Sequence, residues 1–284
     1  MSRLICSLMS STCCLSKNIS FKLSTLLNRL TLCCGLIALS SVAVEIPSSP
    51  SLEKSTLTQK TPIKVVTEYY PPYSFKDRNG TLKGCAVELV RALFKLNKDE
   101  LKITLMPWSR AYITAVNFKN TLIFSISRNN IRESKFHWIG KIKQEKYFFW
   151  GLREKYSTEK ISDQEFKSSL IVVAKYTTND QMLSAKGENK LYRVTELTQG
   201  INMLLAHRVD LIVETQVGLK KRFKKEGLDF SKIVPVYKLP ELDYDLYIAM
   251  NINSDPQIVE NYHRAYQQLV DNGTVEKIIN QCAK

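Results

Sequence analysis

The chain has 284 residues, of which 44% are hydrophobic, and its 41 Lys and Arg against 27 Asp and Glu give a formal net charge of +14. This length and composition predict a globular rather than a disordered chain, with one large domain or two modest ones. The basic residues are spread along the chain and no nucleic-acid-binding motif is present, so we do not expect nucleic acid as a partner.

The first 43 residues predict a secretory signal peptide. They carry four basic residues and no acidic one, and an apolar run over residues 30–44 contains small residues at 41–43 that suit cleavage. A membrane anchor is the alternative, but the run is shorter than the roughly 20 apolar residues that a spanning helix needs. Residues 44–61, rich in Ser, Thr, Pro and Lys, are then predicted to be a flexible linker.

The distribution of cysteines agrees with export, because five of the seven lie in the leader. The other two, Cys85 and Cys282, can form a disulfide in an oxidising compartment. Two unpaired, buried cysteines are the alternative.

After the linker, the apolar pattern predicts strands that alternate with helices. The helix after Gly84 shows the pattern most clearly, with apolar residues every three or four positions at Ala86, Leu89, Val90, Leu93 and Leu96. Strands are predicted at residues 63–67, 101–105, 121–124, 147–152, 170–174, 191–194, 209–213, 233–237 and 246–250. Further helices are predicted at 109–116, 177–187 and 197–206, in a stretch ending at Gly227, from about 254 to 272, and at the C-terminus.

Alternating strands and helices predict a parallel-rich α/β architecture, and two such series predict two lobes. In open α/β sheets, ligands bind at the C-terminal ends of the strands. Polar or aromatic clusters follow the predicted strands at residues 68–70, 108, 125–132, 177–179 and 214–215. The sequence therefore predicts an aromatic-lined site between the lobes.

The cluster at residues 124–132 indicates what this site binds. It follows a buried strand and supplies Ser125, Ser127, Arg128 and Arg132 within eight residues. A planar guanidinium can donate two parallel hydrogen bonds to a carboxylate, and a hydroxyl can add a third. An ordinary strand-to-helix connection with solvated arginines is the alternative for this cluster taken alone.

Other chemistry is not indicated. His137, His207 and His263 lack the spacing of metal ligands, and the sequence has no nucleophile elbow, phosphate-binding loop or zinc-protease motif. We therefore expect no metal, no cofactor and no catalytic residue. The densest basic run, residues 220–225, is predicted to be a solvated helix face, with an anion-docking patch as the alternative.

Several short segments, in order, resemble the bacterial periplasmic solute-binding proteins of family 3, which serve polar amino-acid uptake. They lie at residues 70–75, 82–84, 107–111, 125–133, 136–140, 208–211, 246–249 and 271–274. The resemblance implies a two-lobed periplasmic-binding-protein-like fold of type II, with two α/β lobes joined by two hinge crossovers. It places lobe one at residues 62–143 and 244–284, and lobe two at 144–243.

The resemblance also implies roles for individual residues. Arg132 corresponds to the family's carboxylate-binding arginine, Ser127 to the neighbouring hydroxyl and Ser125 to a backbone contact. Trp108 corresponds to the aromatic wall, and Glu68 to an acid of the first loop, which also contributes Tyr70 to the predicted ligand-binding residues. The N–H groups of Thr178 and Asn179, at a helix start in lobe two, would also meet the carboxylate. Cys85 and Cys282 would both lie in lobe one.

One position departs from the family pattern. Thr215 stands where an Asp usually pairs with the α-ammonium group of the ligand, and Glu214 precedes it. Because side chains alternate along a strand, Glu214 is expected to face away from the site unless the strand has already turned, and Glu214 and Thr215 are both kept as predicted ligand-binding residues. Either Glu68 binds the ammonium, or the ligand is not a standard α-amino acid.

The implied function is a monomeric periplasmic protein that is not an enzyme. It would capture a small carboxylated solute, in the first instance an amino acid, and pass it to an ABC permease of the inner membrane or to a sensor. The alternative is an enzyme on the same fold, like the periplasmic dehydratases that resemble this family, with Glu68 or Glu214 as the acid or base. A protein driven by charge to the cell envelope or to nucleic acid would instead show strongly salt-dependent binding.

Overall fold

The computed structural model describes residues 62–156, 160–187 and 190–283. The predicted signal peptide at 1–43 and the linker at 44–61 lie outside these residues. The strands are β1 Lys64–Thr67, β2 Phe75–Lys76, β3 Leu82–Lys83, β4 Ile103–Leu105, β5 Thr121–Ser127, β6 Phe136–Glu145, β7 Tyr147–Leu152, β8 Leu170–Ala174, β9 Lys190–Val194, β10 Leu211–Thr215, β11 Ile233–Tyr237 and β12 Tyr244–Asn251. The α-helices are α1 Cys85–Asn97, α2 Trp108–Asn117, α3 Asp163–Ser168, α4 Thr178–Lys186, α5 Leu197–Leu205, α6 Gln216–Lys225, α7 Pro256–Asp271 and α8 Thr274–Asn280.

The strands form two large sheets and one small hairpin, β2–β3. The first sheet has the order β4-β1-β5-β12-β6, and the second has the order β11-β7-β10-β8-β9. Each sheet is mixed. In the first, β1 is parallel to β4 and β5, whereas β12 is antiparallel to β5 and β6. In the second, β8 is parallel to β9 and β10, whereas β7 is antiparallel to β10 and β11. The predicted parallel-rich arrangement therefore holds only for part of each sheet.

Each sheet has an apolar core on both faces, which is why its central strands are buried along their whole length. Helices α1 and α7 pack with one face of the first sheet, and α2 covers the other. In the second sheet, α3 and α4 contribute to one core, whereas α5 and α6 contribute to the other. Among the described residues, no helix is long and apolar enough to cross a membrane.

We call the part of the chain built around the first sheet lobe one and the part built around the second sheet lobe two. The chain passes from lobe one to lobe two between Glu145 and Tyr147, and returns between Tyr237 and Tyr244. These are two crossovers in a two-lobed α/β fold. The lobe boundaries at residues 143/144 and 243/244 stay a prediction.

Strand β6 and helix α3 were not predicted. The alternation of β6 is irregular because its pairing with β12 shifts register at two places. In the sequence, Gly140 suggests the end of a strand. In the structure it lies within β6 and allows close packing, because a Cβ there would lie 2.2 Å from the ring of Tyr266. Helix α3 was missed because Phe166 is its single buried residue, so the helix shows no apolar periodicity. The predicted inward position of Leu96 is wrong, because it lies near the end of α1 and is 39% exposed.

Cys85 and Cys282 form a disulfide bond in this structure, with their Cα atoms 5.6 Å apart. Cys85 is the first residue of α1, and Cys282 follows α8 in the last turn of the described chain. Both residues are buried in the core that α1 shares with α7. The bridge therefore joins the first helix of lobe one to the C-terminal end of the chain.

Candidate functional site

A narrow cavity lies between the two lobes, at the C-terminal ends of their central strands. Its volume is about 60 Å³, counted as the space open to the centres of water molecules. Because one water needs roughly 10–15 Å³ by this measure, the cavity fits a small solute. Nine of the ten predicted ligand-binding residues line it: Glu68, Tyr70, Trp108, Ser125, Ser127, Arg132, Thr178, Asn179 and Glu214.

Arg132 is a buried charge at the lobe-one side of this cavity, only 1% exposed. Its Nη1 donates to the carbonyl oxygen of Ser127 at 3.0 Å, and its Nη2 donates to the carbonyl oxygen of Tyr176 at 2.9 Å. Its Nε has no hydrogen-bond partner among the described residues. Burial lowers the pKa of Arg132 to about 10, so the guanidinium is still protonated at neutral pH. No acidic side chain within the described ranges is paired with it, which leaves its charge available to an anion.

An aromatic wall supports this guanidinium. The Arg132 Cζ lies 5.2 Å from the ring centroid of Trp108 and 5.1 Å from that of Tyr112, and the two rings are stacked on one another. The Trp108 indole donates to the Tyr176 carbonyl oxygen at 2.9 Å. Tyr176 belongs to lobe two and has φ 62°. One carbonyl of lobe two therefore accepts hydrogen bonds from two residues of lobe one.

Small polar groups complete this end of the cavity. Ser125 has φ 60°, and its hydroxyl is buried without a hydrogen-bond partner among the described residues. On the lobe-two side, Thr177 caps the start of α4 by accepting from the Asp180 N–H. The N–H groups of Thr178 and Asn179 belong to the first helical turn and need no partner within the helix. These groups can surround a carboxylate held by Arg132.

Two acids, Glu68 and Glu214, also line the cavity. Burial raises the pKa of Glu68 to about 8, with Arg222 opposing that shift and Glu214 adding to it. Burial also raises the pKa of Glu214, against the opposing effect of Arg222. The two carboxyl groups can bind a cationic group of a ligand, or one of them can carry a proton.

The expectation that Glu214 faces away from the site is wrong, as is the placement of Thr215 in it. Glu214 lies at the end of β10, and its side chain curls over that end, where Oε1 accepts from the Thr215 N–H at 2.7 Å. Gly218 leaves room for it, since a Cβ there would lie 3.3 Å from Oε1. The Thr215 side chain instead caps α6 by accepting from the Gly218 N–H.

Arg222 lines the cavity and was not predicted. It was assigned to a solvated basic face at residues 220–225, yet it is 4% exposed. Its Nε lies 3.9 Å from Glu214 Oε2 and has no hydrogen-bond partner among the described residues. The sequence held one indication: Arg222 follows Leu219 by three residues and precedes Phe223, both buried, so it shares the inward face of α6.

Two tyrosines bridge the lobes beside these acids. The hydroxyl groups of Tyr70, from lobe one, and Tyr147, from the first position of β7, are 2.7 Å apart. Burial raises the pKa of both well above the ordinary value, so both are neutral at physiological pH. Tyr147 was not predicted, because its place in the site depends on where β7 crosses into lobe two.

No cluster of metal-ligating side chains occurs in the part of the chain that the structure describes.

Residues 63–149 match the model of a protein family, the bacterial extracellular solute-binding proteins, family 3. No curated protein matches the sequence significantly. Among solved structures, the chain is similar to a histidine kinase sensor domain with similarity to periplasmic binding proteins, at 19% identity and a TM-score of 0.66 over 77% of this chain and 95% of that one.

Two further structures illustrate the range of proteins with this fold. One is an amino acid ABC transporter substrate-binding protein from Streptococcus pneumoniae bound to L-arginine, with 16% identity and a TM-score of 0.63 over 77% of this chain and 93% of that one. The other is an ancestral amino-acid-binding protein, a precursor of cyclohexadienyl dehydratase, with 18% identity and a TM-score of 0.64 over 80% of this chain and 97% of that one.

At these identities the solved structures show the fold, and the family match covers the chain from β1 into β7. The predicted resemblance is therefore confirmed: residues 63–149 match the model of the bacterial extracellular solute-binding proteins of family 3, and the chain has the two-lobed α/β fold of periplasmic binding proteins.

Proposed function

We propose that the chain is a periplasmic protein that captures a small carboxylated solute, in the first instance an α-amino acid, between its lobes. It hands this solute to an ABC permease or to a sensor. The observation that carries the proposal is the pairing of opposite charges in one small cavity. Arg132 Nε has no hydrogen-bond partner among the described residues, and Glu68 lines the same cavity. Together they match the carboxylate and the ammonium group of a zwitterion.

A ligand screen tests this function. Amino acids and other small organic acids are added to the purified protein, and the shift of its melting temperature is measured, since a ligand that binds only the folded state raises stability by mass action. We expect stabilisation by at least one α-amino acid, and a smaller effect from its decarboxylated amine. Equal stabilisation by the amine, or none by any carboxylate, would contradict the proposal.

Trp108 should contribute directly to affinity. We expect Trp108→Ala to weaken ligand binding by about 1–3 kcal/mol, because it removes the ring on which Arg132 rests and a hydrogen bond across the cleft. Calorimetric titration measures this loss. Trp138→Ala is the matched control, because Trp138 is also an aromatic of lobe one but does not line the cavity. Unchanged affinity in the Trp108 variant would assign this residue to the core alone.

Glu68 should couple binding to pH. In the unliganded protein its pKa is raised from 4.5 to about 8, so most of it is protonated at pH 7. A ligand ammonium favours the ionised form, so binding should release up to one proton per ligand between about pH 5 and 8. Calorimetry in buffers of different ionisation enthalpy measures the release, and Glu68→Gln should abolish it.

The same shift affects stability. Because the folded-state pKa is raised, the contribution of Glu68 to stability is fully present below pH 4.5 and is lost as the pH rises through about 8. Glu68→Gln should flatten the unliganded stability curve over this range. Glu276→Gln, which changes an exposed acid of α8 outside the cavity, serves as the control. Binding without any proton release would remove Glu68 from the ammonium site.

An enzyme acting on a small carboxylic acid is the second candidate. Glu68, a protonated acid beside a ligand cavity, could serve as a general acid, and one solved structure with this fold is described as a precursor of a dehydratase. Incubation of a bound ligand, followed by NMR, distinguishes the two functions. A binding protein leaves the ligand unchanged, whereas an enzyme converts it and loses that conversion in Glu68→Gln.

A further inference from the structure

The two lobes are joined by arginines that reach across the cleft in opposite directions. Arg132 of lobe one donates to the Tyr176 carbonyl oxygen of lobe two. Arg222 of lobe two donates through Nη2 to the Tyr69 carbonyl oxygen of lobe one at 2.7 Å. Each bond uses a charged donor and a backbone acceptor, and charge-assisted hydrogen bonds of this kind are stronger than neutral ones. Both bonds require the lobes to be closed.

The contact around Arg222 extends along α6. The Arg222 Cζ lies 5.2 Å from the ring centroid of Tyr69, and Lys225 Nζ lies 4.3 Å from the same ring. Lys221 Nζ lies 5.9 Å from the ring centroid of Phe75. Three cations of lobe two therefore face two aromatic rings of lobe one, a favourable arrangement for cation–π attraction. The basic run at residues 220–225 is a contact between the lobes rather than only a solvated face.

The position of Arg222 connects this contact to the ligand cavity. Tyr69, whose carbonyl oxygen Arg222 binds, directly follows Glu68. On its other side, Arg222 lies 3.9 Å from Glu214, which also lines the cavity. A single guanidinium thus contacts the loop that carries one acid and the side chain of the other.

We propose that Arg222 is a positioning residue that docks the Glu68 loop onto lobe two when the lobes close, so that Glu68 is set in place for the ligand only in the closed protein. The proposal rests on the proposed function, because it gives Glu68 a ligand to meet. It adds that Arg222 both contributes to closure and assembles the acidic part of the site, without itself having to touch the ligand.

The electrostatic consequence is specific to Arg222. The charged groups that face Glu68 are Arg222 and Glu214, Glu196 before α5, and Arg132 of lobe one. Arg222 is the larger of the two cationic influences and lowers the pKa of Glu68 against the effect of burial. Removing its charge should therefore raise that pKa further, whereas a change of packing alone would not.

The test compares Arg222→Met and Arg222→Lys with wild type and with Lys220→Met, a control that removes an exposed cation from the same helix. Small-angle scattering of the unliganded proteins measures the radius of gyration. We expect a larger radius for Arg222→Met, and the wild-type value for Lys220→Met. This measurement needs no ligand, so it tests the closing contact even if the proposed function fails.

Titration with the ligand found in the screen gives the second measurement. For Arg222→Met we expect affinity at least tenfold weaker and proton release displaced to higher pH; Arg222→Lys should restore the pH range, because it keeps the charge, but only part of the affinity. If Arg222→Met has the wild-type radius, affinity and proton-release profile, the proposal is overturned while the binding function stands. A weaker affinity with an unchanged pH profile and radius would also overturn it.

Discussion

Arg132→Lys and Arg132→Ala should both lose ligand binding, by about 2–5 kcal/mol, while the unliganded protein stays folded. Most of this loss comes from leaving the carboxylate of the ligand buried without a partner. Lysine cannot restore it, because an ammonium group lacks the planar pair of donors and the flat face that rests on Trp108. The fold should tolerate the change, since the hydrogen-bond acceptors of Arg132 are two carbonyl oxygens rather than a charged group.

The measurement is calorimetric titration of both variants, with circular dichroism to verify folding. Arg128 provides the matched control, because it lies in the same loop but is exposed and paired with Glu133. Arg128→Ala should bind as tightly as wild type. If the Arg132 variants bind like the Arg128 variant, the carboxylate does not sit on Arg132 and the proposed orientation of the ligand is wrong.

Removal of the disulfide should lower the free energy of unfolding by about 2–4 kcal/mol. The bridge joins residues 197 apart in sequence, so in the unfolded chain it closes a very long loop, and its loss returns that conformational freedom. Urea denaturation of Cys85→Ala/Cys282→Ala measures the difference.

Reduced wild-type protein is the control for the disulfide, because it keeps both sulfur atoms in the core and lacks only the bond. It should unfold close to the double variant. Any further loss of unfolding free energy in the double variant measures the cost of the cavity left when the two sulfur atoms are removed. Two free thiols in unfolded, non-reduced protein isolated from the periplasm would show that the cysteines do not pair in the cell.

The fold was predictable where a strand is a short, continuous apolar run. The predicted bounds of β7, β8 and β11 agree with those observed, because each run is buried in the second sheet and ends at polar residues. The bounds of β10 were less accurate: the prediction began at residue 209 and stopped before Glu214 and Thr215, which continue the strand. Strand β6 was missed because its irregular pairing leaves no clear alternation.

The site was predictable to the extent that it lies at strand ends. The C-terminal ends of β1 and β5 meet at one edge of the first sheet, so Glu68, Ser127 and Arg132 could be placed together from sequence. What sequence could not give is the direction of a long side chain beyond the end of a strand. Glu214 starts on the expected face of β10 and still reaches the cavity.

Contacts between the lobes were not predictable. Arg222 and Tyr176 acquire their roles from how lobe two meets lobe one, which no local pattern encodes. The surrounding lysines favoured a solvated face, and only the spacing of Arg222 from Leu219 indicated otherwise. A charged residue at an apolar helical position is therefore a useful indication of a buried functional group.

The position of β12 has a consequence for how the protein is made. Strands β5 and β6 are consecutive in the chain, yet β12 lies between them in the first sheet. All strands of lobe two precede residue 244, so lobe two can complete its sheet before β12 has emerged, including during export of the chain. Lobe one cannot, because β5 and β6 keep open hydrogen-bonding edges until the last part of the chain arrives. A prematurely terminated product would expose those two edges, and proteases and chaperones could distinguish it from the finished protein.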